Sequence, residues 1–147
     1  QSANIPHGWA YVLPTESQWE YACRAGTTTP YSWGVSISST DANYAFDGLN
    51  TGIQQTTDVG QYSPNPWGFY DMHGNVVEWT TDWFRDDYPT GNPVIDPTGA
   101  TSGVRRSARG GSWKTTEAGV RSAMRGIGYT PDSAWWWLGF RVALQEQ

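Results

Sequence analysis

Two carboxylates bracket a glycine turn in the middle of the chain, and this spacing is suited to binding a hard cation. Asp71 and Glu78 lie on either side of Gly74 and Asn75. Calcium prefers a mixed shell of carboxylate and carbonyl oxygens, and a glycine at positive φ can curl a loop so that its carbonyls point inward. The segment therefore predicts a calcium loop with Asp71 and Glu78 as side-chain ligands and Gly74 and Val76 as carbonyl ligands. The alternative is a tight hairpin whose carboxylates cap backbone N–H groups.

Three consecutive tryptophans, Trp135, Trp136 and Trp137, form a second candidate site. Adjacent indoles are difficult to bury together, and exposed aromatic side chains supply stacking surfaces for sugars, peptides or partner proteins. Arg125 and Tyr129 lie nearby in the sequence and are predicted to share this ligand- or partner-binding surface. The alternative is that the three rings pack in the core or within a loop.

The other reactive residues give weaker signals. Cys23 is the only cysteine, so the chain cannot form an internal disulfide or a cysteine-based zinc site, and we expect a small buried hydrophobe. His73 lies in the glycine turn and is interpreted as structural, with a general base as the alternative. Arginines of the C-terminal third are expected to pair with the chain's own carboxylates, with recognition of a carboxylate ligand as the alternative. They are Arg105, Arg106, Arg109, Arg121, Arg125 and Arg141.

The composition argues against two classes of partner. Nine basic and fourteen acidic residues give a net charge of −5 without any basic run, so nucleic-acid binding is not expected. No apolar stretch approaches the ~20 residues of a membrane-spanning helix. Ten Trp, eight Tyr and four Phe, together with 17 Gly and 9 Pro, predict a loop-rich fold packed by large rings.

The elements that position these residues are predicted to be short. Thr15 and Gln18 form a capping-box pattern, which predicts a helix over residues 16–24 that ends at Gly26. Loop composition dominates most of the remaining chain. Strands are predicted at residues 59–62, 80–83, 120–125 and 138–144, and another is expected to begin near residues 109–113.

Four segments, taken in order, resemble a known protein family. They are residues 13–26 (LPTESQWEYACRAG), 65–79 (NPWGFYDMHGNVVEW), 109–113 (RGGSW) and 138–141 (LGFR). Together they resemble the formylglycine-generating enzyme, or sulfatase-modifying factor, domain over nearly the whole chain. The resemblance implies an α+β, C-type-lectin-like fold with short antiparallel strands and one or two helices. The family includes the oxidase that converts a sulfatase cysteine to formylglycine, sulfoxide synthases, and ligand-binding proteins diversified by retroelements.

The resemblance strengthens the calcium prediction. In the family, the segment that matches residues 71–78 forms a calcium site. Its ligands match Asp71, Gly74, Val76 and Glu78. A second and weaker family site would use Asn43 and the Tyr44 carbonyl, but its acidic ligand falls at Thr51 in this chain.

The chain departs from the oxidase members of the family at their reactive centre. Those members use a cysteine pair downstream of the Arg-Gly-Gly-Ser segment to bind copper and activate oxygen, whereas residues 115–120 hold no cysteine here. Ser112 keeps the family serine without a thiol to assist it. We therefore expect no copper and no catalytic residue.

The sequence is expected to form one domain over residues 1–147 that lacks the family's N-terminal strand and helix. The edge and apolar face left by that strand are expected to be covered by a second copy in a homodimer or by residues 1–12. The predicted function is a non-catalytic binding module whose loops calcium holds and whose partner is a ligand, peptide or protein. One alternative is a subunit or fragment of an oxidoreductase that needs an upstream part. Another is a gene fragment that folds without a selected function.

Overall fold

The computed structural model describes residues 5–45, 52–87 and 94–147, and it shows short elements joined by long loops. Their order is β1 (Trp9–Val12), α1 (Glu16–Arg24), β2 (Val77–Trp83), β3 (Arg106–Arg109), a 3-10 helix (Glu117–Val120), β4 (Leu138–Phe140) and β5 (Ala143–Glu146). One α-helix and short strands in these ranges confirm the loop-rich α+β class predicted from the sequence.

Helix α1 forms where its capping box predicts. Gln18 N–H donates to Thr15 Oγ1 at 3.2 Å, and Thr15 N–H donates to Gln18 Oε1 at 2.9 Å. Trp19 and Cys23 lie on the buried face, and the helix ends at Ala25 in the left-handed conformation. In the ranges that the structure describes, no helix has the length and apolar character needed to span a membrane.

The strands form two small sheets. β2 is the central strand of a three-stranded sheet, antiparallel to β3 and parallel to β4. The parallel pair differs from the expected antiparallel strands. It can form because the chain passes through β3 and a long connection before it returns as β4. β1 and β5 form a separate antiparallel pair in which Trp9 lies opposite Glu146.

The N-terminal segment lies against the C-terminal strand, as one version of the sequence prediction expects. Its partner is β5, however, and not β4, which has only β2 as a neighbour among the described residues. Phe140 of β4 is 67% exposed. Residues 1–4 of the covering segment lie outside the described residues. The described part of the N-terminal segment therefore covers the edge of β5, and it does not cover the edge of β4.

Three strand predictions are wrong, those at residues 59–62, 109–113 and 120–125. Arg109 ends β3 instead of beginning a strand, and in the other two segments backbone N–H groups donate to loop acceptors. Residues 59–62 form a turn in which Gly60 N–H donates to Asp71 Oδ2 at 2.7 Å. Residues 120–125 follow the 3-10 helix, and Ser122 N–H donates to the Pro30 carbonyl oxygen at 2.9 Å. The predicted strand at residues 138–144 divides into β4 and β5 on either side of Arg141.

The buried interior consists of two small apolar clusters and many polar groups. One cluster contains Tyr31, Ala42, Tyr44 and Val120, and the other contains Trp19, Cys23 and Met72. Among the aromatic side chains, Trp19 and Trp113 are buried, whereas Trp67 and Phe140 are exposed. The buried polar groups include Glu78, Asp82 and Arg109. The interior of the fold is therefore held by pairs of polar groups as well as by packed aromatic rings.

Candidate binding site

The three tryptophans lie just before β4 and are anchored to the three-stranded sheet by their backbone. Val77 N–H donates to the Trp137 carbonyl oxygen at 2.8 Å, and Leu138 N–H donates to that of Trp135 at 3.0 Å. The rings of Trp135 and Trp137 stack with centroids 5.0 Å apart, and Trp136 meets Trp137 edge-on at 5.8 Å. Trp135 is 50% exposed and Trp136 is 72% exposed. We call these three residues the tryptophan cluster.

A lysine that the sequence analysis did not single out completes this cluster. Lys114 is the only lysine of the chain, and its Nζ lies 4.2 Å from the centroid of the Trp137 ring. This is a cation–π contact. Lys114 directly follows the RGGSW segment, which could have drawn attention to it. Its contact with Trp137, however, depends on the fold and cannot be read from the sequence.

Arg125 and Tyr129 make their described contacts away from the tryptophan cluster. Tyr129 bridges to the backbone of Arg106 in β3, and its ring meets Trp79 edge-on at 5.9 Å. The cluster precedes β4, which lies on the other side of β2. Arg125 pairs with Glu16 at the start of α1, with Nε to Oε1 at 2.6 Å. The structure therefore does not group these two residues with the indoles.

The turn between Asp71 and Glu78 has the left-handed backbone that its glycine predicts. Asp71, Gly74 and Asn75 have φ values of 55°, 85° and 62°. Gly74 lies so close to the carbonyl of Asn43 that no side chain fits there. Asn75 N–H donates to the Asn43 carbonyl oxygen at 2.8 Å, and Asn43 Nδ2 donates to Asn75 Oδ1 at 3.2 Å. The two segments predicted to bind calcium thus lie against each other.

Glu78, the acidic ligand expected at the end of this turn, belongs to a buried ion pair. Arg141 Nε and Nη2 donate to its two carboxylate oxygens at 2.5 and 2.6 Å. Trp19 Nε1 donates to the same carboxylate at 2.5 Å. Because a bidentate guanidinium already neutralises these oxygens, a calcium ion would have to compete with Arg141 for them. Calcium at residues 71–78 stays a prediction, and it would require Glu78 to release Arg141.

Asn43 carries the acceptor that fits a calcium ion. Its side chain is buried, and its Oδ1 has no hydrogen-bond donor among the described residues. Amide and carbonyl oxygens are ordinary calcium ligands, and an unpaired buried polar group costs about 1–3 kcal/mol. Asn43 and Tyr44 line a cavity of about 260 Å³ together with Ile53. Thr51 lies outside the described residues. Among the residues that are described, no group of three His, Cys, Asp or Glu side chains is placed to hold a metal.

The segment that matches the family's cysteine pair is occupied by a tightly packed turn. Ser112 is buried, and its N–H donates to Thr115 Oγ1 at 3.0 Å. A Cβ at Gly111 would lie 2.7 Å from Cγ1 of Val120, at the end of the 3-10 helix. The hydroxyl of the serine also lies 3.3 Å from Thr115 Oγ1, so both its backbone and its side chain are engaged within this turn.

Cys23 and His73 make a buried contact, with Sγ 3.6 Å from Nε2. His73 Nδ1–H donates to the Val120 carbonyl oxygen at 2.8 Å, and Nε2 accepts from Ser32 N–H at 3.3 Å. Burial lowers the pKa of His73 and raises the pKa of the Cys23 thiol to about 12. Both groups are therefore neutral near pH 7, which suits a structural role.

The raised pKa of Cys23 predicts that its thiol is protected from reagents in the folded protein. At pH 8 the native chain should react with a thiol-specific disulfide reagent on the order of a thousandfold more slowly than the chain unfolded in guanidinium chloride, because the thiolate is the reacting form. Rapid stoichiometric labelling of the native protein would contradict the buried placement.

The C-terminal arginines are used in two ways. Arg109 and Arg141 pair with carboxylates of the chain, as does Arg125. Arg105 and Arg106 lie over the rings of aromatic residues instead. Arg109 and Arg125 also line a cavity of about 460 Å³ at the start of α1. Sequence patterns gave no signal for this cavity, because its walls come from distant segments.

Comparison with known proteins identifies a family model that spans all four motif segments. The sulfatase-modifying factor enzyme 1-like domain matches residues 2–146. The formylglycine-generating enzyme of Streptomyces coelicolor is 38% identical over 144 residues, which cover 89% of this chain and 46% of that protein. The serine/threonine-protein kinase pkn1 of Chlamydia pneumoniae is 39% identical over 116 residues, covering 77% of this chain and 18% of that protein.

Solved structures give the same grouping. Treponema denticola variable protein 1 matches with a TM-score of 0.78 and 35% identity, over 93% of this chain and 48% of that one. PvdO from Pseudomonas aeruginosa matches with a TM-score of 0.79 and 30% identity, over 93% and 53%. The chain thus spans about half of these structures and less than half of the curated relatives. The resemblance read from the sequence is confirmed, and the chain belongs to the sulfatase-modifying factor enzyme 1-like domain family.

Proposed function

We propose that this domain is a non-catalytic binding module whose contact surface is the tryptophan cluster. The observation that carries the proposal is the exposure of Trp135 and Trp136, at 50% and 72%, on rings held in place by Trp137. Ordered, exposed indoles are the side chains that dominate recognition surfaces, because they offer large contact area with little freedom to lose.

The test of this function is a search for ligands with two unrelated probes, a phage-displayed random peptide library and a printed oligosaccharide array. Binding should be abolished by the paired changes Trp135→Ala and Trp136→Ala and should survive Trp67→Ala. Trp67 is the matched control because it is an exposed indole in a different contact, edge-on to Tyr21. Ligands that bind all variants equally would overturn the proposal.

The proposal that the domain is non-catalytic is supported by the residues of the segment that matches the reactive centre of the oxidase members of the family. Ser112 is buried within a turn, the following segment has no cysteine, and Cys23 has a raised pKa. A second candidate function, a subunit of an oxidoreductase, is favoured by the share of the relatives that this chain spans. Oxygen consumption with copper and a cysteine-containing peptide should be absent for this chain alone, and turnover would contradict the non-catalytic proposal.

We further propose that calcium holds the loops at Asn43 and Tyr44. The unpaired Oδ1 of Asn43 and the cavity it shares with Tyr44 support this placement. Calcium would act there as a structural ion that joins the segment around Asn43 to the neighbouring loop. No homodimer is required by this proposal.

Calcium is therefore expected to raise the melting temperature of the domain. At a concentration one hundredfold above its dissociation constant, the ion stabilises the native state by about 2.7 kcal/mol, which corresponds to roughly 5–10 °C for a domain of this size. EDTA should reverse the shift. Asn43→Ala should remove it, whereas Glu78→Gln should leave it. A shift that depends on Glu78 and not on Asn43 would move the ion to residues 71–78, and the absence of any shift would contradict calcium binding.

A further inference from the structure

A cavity of about 340 Å³ opens beside the tryptophan cluster. Its walls come from three parts of the chain that are far apart in sequence. The lining residues are Gln54, Gln55, Thr56, Trp113 and Trp136. We call it the Gln–Trp cavity. Among the described residues, its lining combines amides, a hydroxyl and two indoles and includes no charged side chain.

Hydrogen bonds to two asparagines hold two walls of the cavity. Asn43 Nδ2 donates to the Gln55 carbonyl oxygen at 2.9 Å. Thr57 N–H donates to Asn75 Oδ1 at 3.0 Å, and Trp113 N–H donates to the Asn75 carbonyl oxygen at 3.0 Å. Asn75 thus ties the loop that carries the glutamines to the turn that carries Trp113. The cavity is therefore formed before a ligand arrives, which reduces the entropy lost on binding.

The polar groups of the cavity leave hydrogen-bonding capacity for a ligand. The side chains of Gln54 and Gln55 are exposed, and each amide offers donors and an acceptor side by side. Trp113 is buried, and its Nε1–H has no acceptor among the described residues. That donor is enclosed by the protein, so a ligand is expected to bond to the glutamine amides and to the Thr56 hydroxyl instead. The exposed face of Trp136 provides an apolar wall next to these groups.

We propose that the Gln–Trp cavity binds a neutral pyranose sugar within an oligosaccharide, an inference that rests on the proposed binding function. A pyranose has an apolar C–H face that stacks on an indole, and its edge carries hydroxyls that pair with amides. A phosphate or carboxylate ligand would need a cation, but none of the described lining residues is charged, and the described contact of Lys114 is with Trp137. The volume lies at the lower end of small-ligand pockets, ~300–1,000 Å³, and suits a mono- or disaccharide.

The experiment uses the full chain on an array of neutral and acidic oligosaccharides, followed by titration with soluble trisaccharides of glucose, mannose and N-acetylglucosamine. Trp136→Ala should weaken binding to the sugar that is retained by about tenfold, or 1.4 kcal/mol. Gln55→Ala should weaken it severalfold, because one hydroxyl loses its partner. Trp67→Ala should leave it unchanged. Melting curves establish that each variant is folded, which is expected for exposed side chains.

The outcomes separate the sugar inference from the binding function. Binding of neutral sugars that falls in Trp136→Ala and Gln55→Ala supports both. Peptide ligands that need Trp135 and Trp136, with no sugar retained, would overturn the sugar and leave the binding function standing. Binding of acidic sugars alone, or binding unchanged by Gln55→Ala, would also overturn the neutral-sugar site. If no probe depends on the tryptophan cluster, both proposals fail.

Discussion

Replacing Arg109 with alanine is expected to lower the free energy of unfolding by about 3 kcal/mol or more. The substitution removes a buried cation and leaves the carboxylates that pair with it less well compensated. The side chain is 1% exposed and forms an ion pair with Glu20 through Nη2. Its Nε lies 3.5 Å from Glu16 Oε1, and Nη1 donates to the carbonyl oxygen of Met124. Glu16 and Glu20 each keep a second arginine, Arg125 and Arg24. These partners place the effect at the lower end of the range for buried pairs.

The matched control is Arg85→Ala. Arg85 pairs with Asp87 at 3.0 Å, but both side chains are exposed, so its loss should change stability far less than the loss of Arg109. Urea denaturation of both variants measures the difference. Equal effects for the two variants would show that the buried pairing of Arg109 contributes nothing beyond a surface ion pair.

Local features of the fold could be predicted from the sequence because their causes lie within a few residues. The capping box of Thr15 and Gln18 determines where α1 begins, and both hydrogen bonds form. Gly74 predicts a left-handed turn, and the turn is present. In each case the prediction needed no knowledge of distant parts of the chain.

Features that depend on distant segments could not be predicted. The cation–π contact of Lys114 with Trp137, and the pairing of Arg109 with Glu20, require segments that the fold alone brings together. The alternating residues 120–125 resemble a strand, but the Ser122 N–H bonds to a loop carbonyl instead of a neighbouring strand. Periodicity describes which side chains are apolar, and it does not identify the partner of each backbone group.

The predicted calcium ligands illustrate a third limit. The resemblance gives the positions of Glu78 and Asn43, but the charge balance at each position depends on its neighbours. Arg141 neutralises Glu78, whereas Asn43 keeps an unpaired oxygen. The two positions that the resemblance names as calcium ligands therefore differ in their pairing partners, which the motif alone does not reveal. The two segments predicted to bind calcium meet at Asn75, which bonds to Asn43 and also holds the wall of the Gln–Trp cavity.

Gly74→Ala should test whether this meeting point supports the fold, and it is expected to destabilise the protein by about 4 kcal/mol. Gly74 has φ of 85°, and a Cβ there would lie 3.0 Å from the Asn43 carbonyl carbon and closer still to its oxygen. Because that neighbour is backbone, relief of the clash must move the Asn43 segment. The movement would break the hydrogen bond from Asn75 N–H to Asn43 and loosen the loop that carries Gln55.

The control for backbone strain is Gly68→Ala. Gly68 has φ of 86°, almost the same as Gly74, but a Cβ there would meet nothing within 4 Å. It should therefore show only the cost of alanine in the left-handed region, roughly 1–2 kcal/mol. Urea denaturation gives both values, and their difference isolates the clash with Asn43. If the two variants lose equal stability, the Asn43 segment can move away from a Cβ at residue 74 without loss of free energy. That result would contradict a rigid contact between the two loops, and it would remove this support for calcium at Asn43 and for a preformed Gln–Trp cavity.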